Sequence, residues 1–302
     1  MALTTLPDGC TVEFSDCGAP DGLPVLFFHG TPDTRRASWS GQAAARQAGV
    51  RLLAANRPGY GGSTVVETSC RHAVQDTVDL AEHLGITSFA VLGMSVGGMY
   101  ALACAAAHPD RVLRAAVVAT PGESPRLDPP WPRDDLDADG QRFFVRLAAG
   151  SVADNLALVT PDFLAYRARV DPDDNDDGAL ARRWVSFLPE DDRFLLQDDP
   201  AADLAAAARE AVGEPAGYLA DAALVFRPWE FRVEDVACPV SLWYGEHDAN
   251  APARNGRWLR RTLPRATLHE LPGVGHLGSL LTGWPAILED LSRADDLPGP
   301  GR

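Results

Sequence analysis

Seven short apolar runs punctuate the chain, and what lies between them constrains the fold more than anything else. They are TVEFSDCG (11–18), LPVLFFHG (23–30), VRLLAANRPG (50–59), SFAVLGM (88–94), RAAVVAT (114–120), PVSLWYGEHD (239–248) and ATLHELPG (266–273). Runs of this length that end in Gly, Pro or Asp turns predict buried strands. TVEFSDCG alternates apolar with polar and predicts an edge strand after the turn PDG. Helix-period stretches separate the runs: TRRASWSGQAAARQAG (34–49), CRHAVQDTVDLAEHLG (70–85), VGGMYALACAAAHPDR (96–111) and RNGRWLRRTL (254–263). Strand and helix in alternation predict an α/β fold, a mostly parallel sheet with helices on both faces.

The alternation fails between Thr120 and Pro239. That stretch is rich in Pro, Asp and helix-like patches such as GQRFFVRLAAG, ALARRWVSFL and DDPAADLAAAAREAVG. It predicts a helical insert over 122–229, splitting a core into 1–121 and 230–302. With 302 residues and 46% hydrophobic content, the chain has material for such a core and a smaller insert. The acidic segment DPDDNDDG (171–178) does not fit a calcium loop. That loop needs Gly at its sixth position and Glu at its twelfth, where this chain has Asp176 and Arg182. A solvated loop is expected there, and a frayed tail at DDLPGPGR.

The net charge of −15 disfavours nucleic acid and anionic membranes as partners. All 27 basic residues are Arg, which excludes Schiff-base, pyridoxal and Walker-type lysine chemistry. The five cysteines are scattered and predict free thiols rather than a disulfide framework or zinc site. A Cys10–Cys17 bridge across a hairpin is the weaker alternative. The start MALTTLPDGC lacks the pattern of a signal peptide, and no apolar run is long enough to span a membrane. A soluble cytoplasmic protein is expected, with a small-molecule substrate and no metal or cofactor. A homo-oligomer stays open.

Chemistry concentrates first at VLGMSVGGMY (91–100). Ser95 lies where an apolar strand turns into a helix, between Gly93 and Gly97. A sharp strand-to-helix turn forces its apex residue to positive φ and crowds its neighbours, which glycine tolerates. The pattern predicts an exposed nucleophile at the positive end of a helix. A serine needs a base. His276, in the glycine-flanked loop PGVGHLGSL after the last predicted strand, is the candidate. His72, His83 and His108 fall on helices or their ends, and His269 within a strand. The base needs a carboxylate, and WYGEHDANAP offers Asp248 past a strand end, with Glu246 in reserve. Donors for an oxyanion are expected from the N–H of Val96, after the nucleophile, and of Thr31 in FFHGTPDT. Pro32 has no N–H to give, and His29 is expected to brace this loop.

The segments FFHGTPDT, NRPGYGGS, VLGMSVGGMYAL, LWYGEHDANAP and LPGVGHLGSL stand in one order, and the chain resembles the α/β-hydrolase superfamily from about Thr4 to Leu291. The resemblance implies an eight-stranded sheet, a catalytic triad of Ser95, Asp248 and His276, and a helical cap after the sixth strand. A Ser nucleophile disfavours haloalkane dehalogenases and epoxide hydrolases. HGTP departs from the HGGG of many lipases and the HGGPG of proline iminopeptidases. The chain is most similar to the capped group of lactonases, haloperoxidase-like esterases and carbon–carbon hydrolases. It is expected to cleave an ester, thioester, lactone or related carbonyl bond of a small apolar molecule through an acyl-enzyme. A lyase or cyclase on the same fold, and a ligand-binding protein with a retained triad, are the alternatives. Among the cap aromatics, Trp184 and Phe187 are the candidates to line a substrate pocket, although most such rings should form the cap's own core.

Overall fold

The computed structural model describes residues 2–293, so the expected fraying of DDLPGPGR lies outside the described residues. Eight strands form one sheet: β1 (Ala2–Thr5), β2 (Thr11–Gly18), β3 (Leu23–Phe28), β4 (Val50–Ala55), β5 (Phe89–Met94), β6 (Val112–Val118), β7 (Val240–Gly245) and β8 (Ala266–Leu271). Their order is β1-β2-β4-β3-β5-β6-β7-β8. From β4 to β8 every neighbouring pair is parallel, while β2 runs antiparallel to both β1 and β4. The seven apolar runs all become strands. The eighth strand is the four-residue β1, which turns back onto β2 through the Leu6–Cys10 turn. That hairpin takes the edge, so TVEFSDCG is the second strand and not the edge strand expected of it.

Successive residues of a strand point to opposite faces, and both faces are buried. Leu26, Phe28, Leu53 and Val91 meet α2 (Cys70–His83), α3 (Val96–Ala107) and, further along the sheet, the helix over Ala253–Thr262. Val25, Phe27, Leu52 and Leu92 meet α1 (Gln42–Gln47) and a helix over Trp284–Leu291. The stretch 34–49 is not one helix: a 3₁₀ segment over Arg35–Gly41 precedes α1. At the junction the Trp284 ring packs so close that a Cβ on Gly41 would lie 2.6 Å from it.

Between β6 and β7 run α4 (Ala138–Ala149), α5 (Val152–Val170), α6 (Asp177–Val185), α7 (Glu190–Leu195), α8 (Ala201–Val212) and α9 (Ala216–Leu224). Beyond β7 lie α10 (Ala253–Thr262), α11 (His276–Leu281) and α12 (Trp284–Leu291). The inserted helices hold two apolar clusters of their own, one around Phe163, Leu180 and Ala208 and one around Phe144, Leu147 and Val159. The acidic segment 171–178 forms the turn into α6. Asp176 caps that helix by accepting from the Ala179 N–H at 3.0 Å. Arg183 pairs with Asp174 at 2.8 Å and Arg209 with Asp177 at 2.7 Å, which offsets part of the run's charge.

All five cysteines are free. Cys17 lies within β2 and Cys10 directly before it, on one extended stretch, so no hairpin brings the two together. Among the described residues no helix is long and apolar enough to cross a membrane.

Candidate active site

Ser95 is the single residue between β5 and α3, and its backbone lies at φ 53°, ψ −125°. A non-glycine residue there costs about 1–3 kcal/mol and persists only where its surroundings enforce it. The Ser95 N–H is tied to the Val118 carbonyl at 2.8 Å, and the Gly98 N–H to the Ser95 carbonyl at 3.0 Å. A Cβ on Gly93 would overlap the Gly97 carbonyl and lie 2.5 Å from the Gly98 Cα. The crowding expected between the flanking glycines is therefore present. Gly97 answers to a second neighbour as well: a Cβ there would overlap the Phe28 carbonyl at the end of β3. Tight packing of α3 onto the sheet thus fixes the apex. The N–H groups of Val96 and Gly97, the first two of the helix, have no acceptor within it.

Asp248 stands in the turn after β7 and His276 opens α11 after β8, so both lie past the carboxyl ends of parallel strands, as Ser95 does. His276 Nδ1 is 2.7 Å from Asp248 Oδ2. The other Asp248 oxygen accepts from the N–H groups of Asn250 at 2.8 Å and Ala251 at 2.9 Å. This carboxylate is inaccessible to solvent, its oxygens are all bonded, and the ring it faces keeps a little exposure. Nδ1–H therefore donates to Asp248, and Nε2 is the ring nitrogen this contact leaves unused. Glu246 does something else: exposed, it accepts from the Gly273 N–H at 3.0 Å and shapes the loop leading to His276. His269 stacks on Trp243 with ring centres 4.0 Å apart.

The HGTP loop passes beside Ser95, where a Cβ on Gly30 would lie 3.6 Å from the Ser95 Cβ. Burial, with the nearby Arg57 charge, pushes the pKa of His29 far down, so the ring is neutral. Its Nδ1–H donates to the Gly30 carbonyl at 2.9 Å and its Nε2 accepts from the Arg57 N–H at 3.3 Å, which is the bracing role expected of it. Burial likewise pushes the Asp33 carboxyl up to about 7, against the pull of the Thr34 N–H and of Arg57.

Arg57 and Asp221 are not legible as site residues in the sequence, yet they set this loop. Arg57 donates to the His29 carbonyl at 2.5 Å and to the Gly30 carbonyl at 3.0 Å. Its partner is Asp221 on α9, at 2.5 Å, with both side chains 2% exposed. Burial is the largest influence and works against the Arg57 charge, but the Asp221 carboxylate together with Tyr60 and Tyr100 outweighs it and holds the pKa up. Asp221 also accepts from the hydroxyls of Tyr60 and Tyr100, each at 2.7 Å, and of Thr31. The inserted helices are in this way fastened to the loop that carries Thr31.

Trp184 and Phe187 take the place expected of most cap rings, in the core of the inserted helices. Both pack on the cluster around Phe163 and Leu180, with Phe187 edge-on to Tyr166 at 4.8 Å. The helices need these rings to close their own core. A cavity of about 200 Å³ lies elsewhere, lined by Val65, Leu156, Leu219 and Leu224 and by the polar Glu67, Thr68 and Ser69, with Arg57 and Asp221 on its wall.

Comparison with known proteins agrees with this fold. The sequence profile of the alpha/beta hydrolase fold matches residues 24–281. A pimeloyl-(acyl-carrier protein) methyl ester esterase from Chromobacterium violaceum is 31% identical over 229 residues, covering 72% of this chain and 74% of that protein. The enol-lactonase from Burkholderia xenovorans LB400 superposes with a TM-score of 0.64 at 18% identity, covering 96% of this chain and 97% of the other. The bromoperoxidase from Bacillus anthracis gives 0.63 at 19%, with the same coverage. At such identities the two structures speak to the fold.

Proposed function

This chain belongs to the alpha/beta hydrolase fold family, and on that premise we propose that it is a serine hydrolase cleaving an ester, thioester, lactone or related carbonyl bond of a small apolar molecule. Ser95 is the nucleophile, His276 the base and Asp248 the residue that orients it. Nε2 of His276 takes the Ser95 hydroxyl proton as the oxygen attacks the carbonyl carbon. The N–H groups of Val96 and Thr31 hold the oxyanion that forms. Collapse of the tetrahedral intermediate breaks the bond to the leaving group, which leaves with the proton from His276. The same ring then takes a proton from water, the hydroxide adds to the acyl carbon, and the acid departs as Ser95 regains its proton. Asp248 keeps Nδ1 protonated throughout and stabilises the imidazolium.

The inserted helices act as a cap over this edge of the sheet, through Asp221 on the oxyanion loop. The relative named as a methyl ester esterase supports ester chemistry.

The observation that carries the proposal is the 2.7 Å contact between His276 and a fully bonded, buried Asp248. A fluorophosphonate should label Ser95 once per chain, and Ser95→Ala should take no label. Asp248→Asn should lower turnover of a short p-nitrophenyl ester by about 10⁴-fold, by enforcing the wrong tautomer, with Glu246→Gln nearly silent. Label on another serine, or a crippled Glu246→Gln beside an active Asp248→Asn, refutes the assignment.

A further inference from the structure

The helix that begins with His276 has no cap of its own. Gly275 precedes it without a side chain, so the N–H groups of Leu277 and Gly278 in its first turn need acceptors from elsewhere. Both are met by Asp192 Oδ1, at 3.1 Å and 3.2 Å. Asp192 is not part of the core. It lies on α7, among the inserted helices, and is 1% exposed.

Two further observations show how closely the contact is made. Gly275 has φ −87°, a backbone open to any residue, so its lack of a side chain is a matter of space: a Cβ there would lie 2.9 Å from Asp192 Oδ1. The other Asp192 oxygen is buried with no hydrogen-bond partner among the described residues. The hydrogen bonds this carboxylate makes thus run to the first turn of α11. A buried oxygen left unsatisfied opposes folding, and such groups mark places where something other than stability keeps the residue.

We propose that Asp192 is a positioning residue that ties the seating of the cap to the alignment of His276. With α7 in place, the first turn of α11 is capped and the imidazole is held against Asp248. With α7 displaced, that turn loses its acceptor and frays, and Nε2 loses its fixed direction toward Ser95. Hydrolysis therefore runs only under a closed cap, which also excludes water until the substrate is in place. The inference rests on the triad proposed above.

Two variants approach the contact from opposite sides, with p-nitrophenyl butyrate as the probe. Asp192→Ala removes the acceptor, and Gly275→Ala drives a methyl group into it while leaving Asp192 in the chain. Each should lower kcat about 10- to 100-fold with KM changed no more than about threefold, as expected when a catalytic group is misplaced by about 1 Å. Amide hydrogen exchange at Leu277 and Gly278 should quicken in both. Asp192→Asn keeps an acceptor at the same position and should recover most of the kcat and the exchange protection. Gly275→Ala with the parent kcat, or Asp192→Asn as slow as Asp192→Ala, overturns the proposal. Ser95→Ala, assayed alongside, separates the two levels. If it still turns over, the triad reading falls and this inference with it; if it is dead while Asp192→Ala is fully active, only the inference falls.

Discussion

Replacing Asp221 with Ala should be among the most damaging single changes outside the sheet. The side chain is 2% exposed and is the counter-charge of Arg57, also 2% exposed. Truncation leaves the guanidinium buried without its partner, which costs about 3–5 kcal/mol in comparable pairs. The hydroxyls of Tyr60 and Tyr100, each 2.7 Å from this carboxylate, lose their acceptor as well. Each orphaned donor adds about 1 kcal/mol or more, less whatever water entering the space restores. A loss of about 5 kcal/mol follows, which matches the whole stability of a marginal domain. Urea unfolding followed by tryptophan fluorescence reads this as a lower midpoint, with an unchanged slope if the two end states keep their compactness. The control is the double variant Arg57→Met with Asp221→Leu. It removes both charges together and should lie within about 2 kcal/mol of the parent, because the burial penalty goes with the pair. That variant should still lose activity, since Arg57 holds the carbonyls of His29 and Gly30. An Asp221→Ala protein within about 1 kcal/mol of the parent, or a double variant less stable than the single, would falsify this account of the latch.

Two other outcomes follow from the site. Ser95→Gly should be more stable than Ser95→Ala by about 1–2 kcal/mol, inverting the usual order, because only glycine is relaxed at φ 53°; thermal melts showing Ala equal or higher would remove the strain. Asp33→Asn should flatten the fall of stability between about pH 4 and pH 7. In that window the folded chain keeps a proton on Asp33, raised to about 7, and the unfolded chain, titrating near about 3.9, does not, so the parent weakens as pH rises. Urea midpoints that run parallel for parent and variant across the window contradict a raised Asp33 carboxyl.

Residues whose requirement is local are legible in the sequence. The glycines around Ser95 are forced by the close approach of α3 to the strand ends, within a few residues of the turn itself, so their spacing alone marks the turn. Asp248 and His276 stand out because each follows a strand, where a parallel sheet assembles its sites. β1 escapes notice for the opposite reason: four residues, half of them exposed, carry too little apolar pattern to register as a strand.

The groups that tie the insert to the core leave no such trace. Asp221 sits in the stretch GYLADAAL, where a lone acid among apolar residues fits the outer face of any helix, and its partners Arg57 and Thr31 lie 164 and 190 residues away. Asp192 is one of three consecutive acids in the first turn of α7, a position where acids serve the helix dipole without any further role. Only the fold shows that its two neighbours remain near solvent while Asp192 turns inward to cap the helix of His276. Gly275 is the local half of that contact. In sequence it is one more glycine in PGVGHLGSL, and its φ gives no cause for it. The cause is a carboxylate 83 positions upstream, so the loop before His276 and helix α7 fit each other as a pair. A cap transplanted from a relative without an acid at the position of Asp192 should then leave the triad residues present and the helix of His276 uncapped.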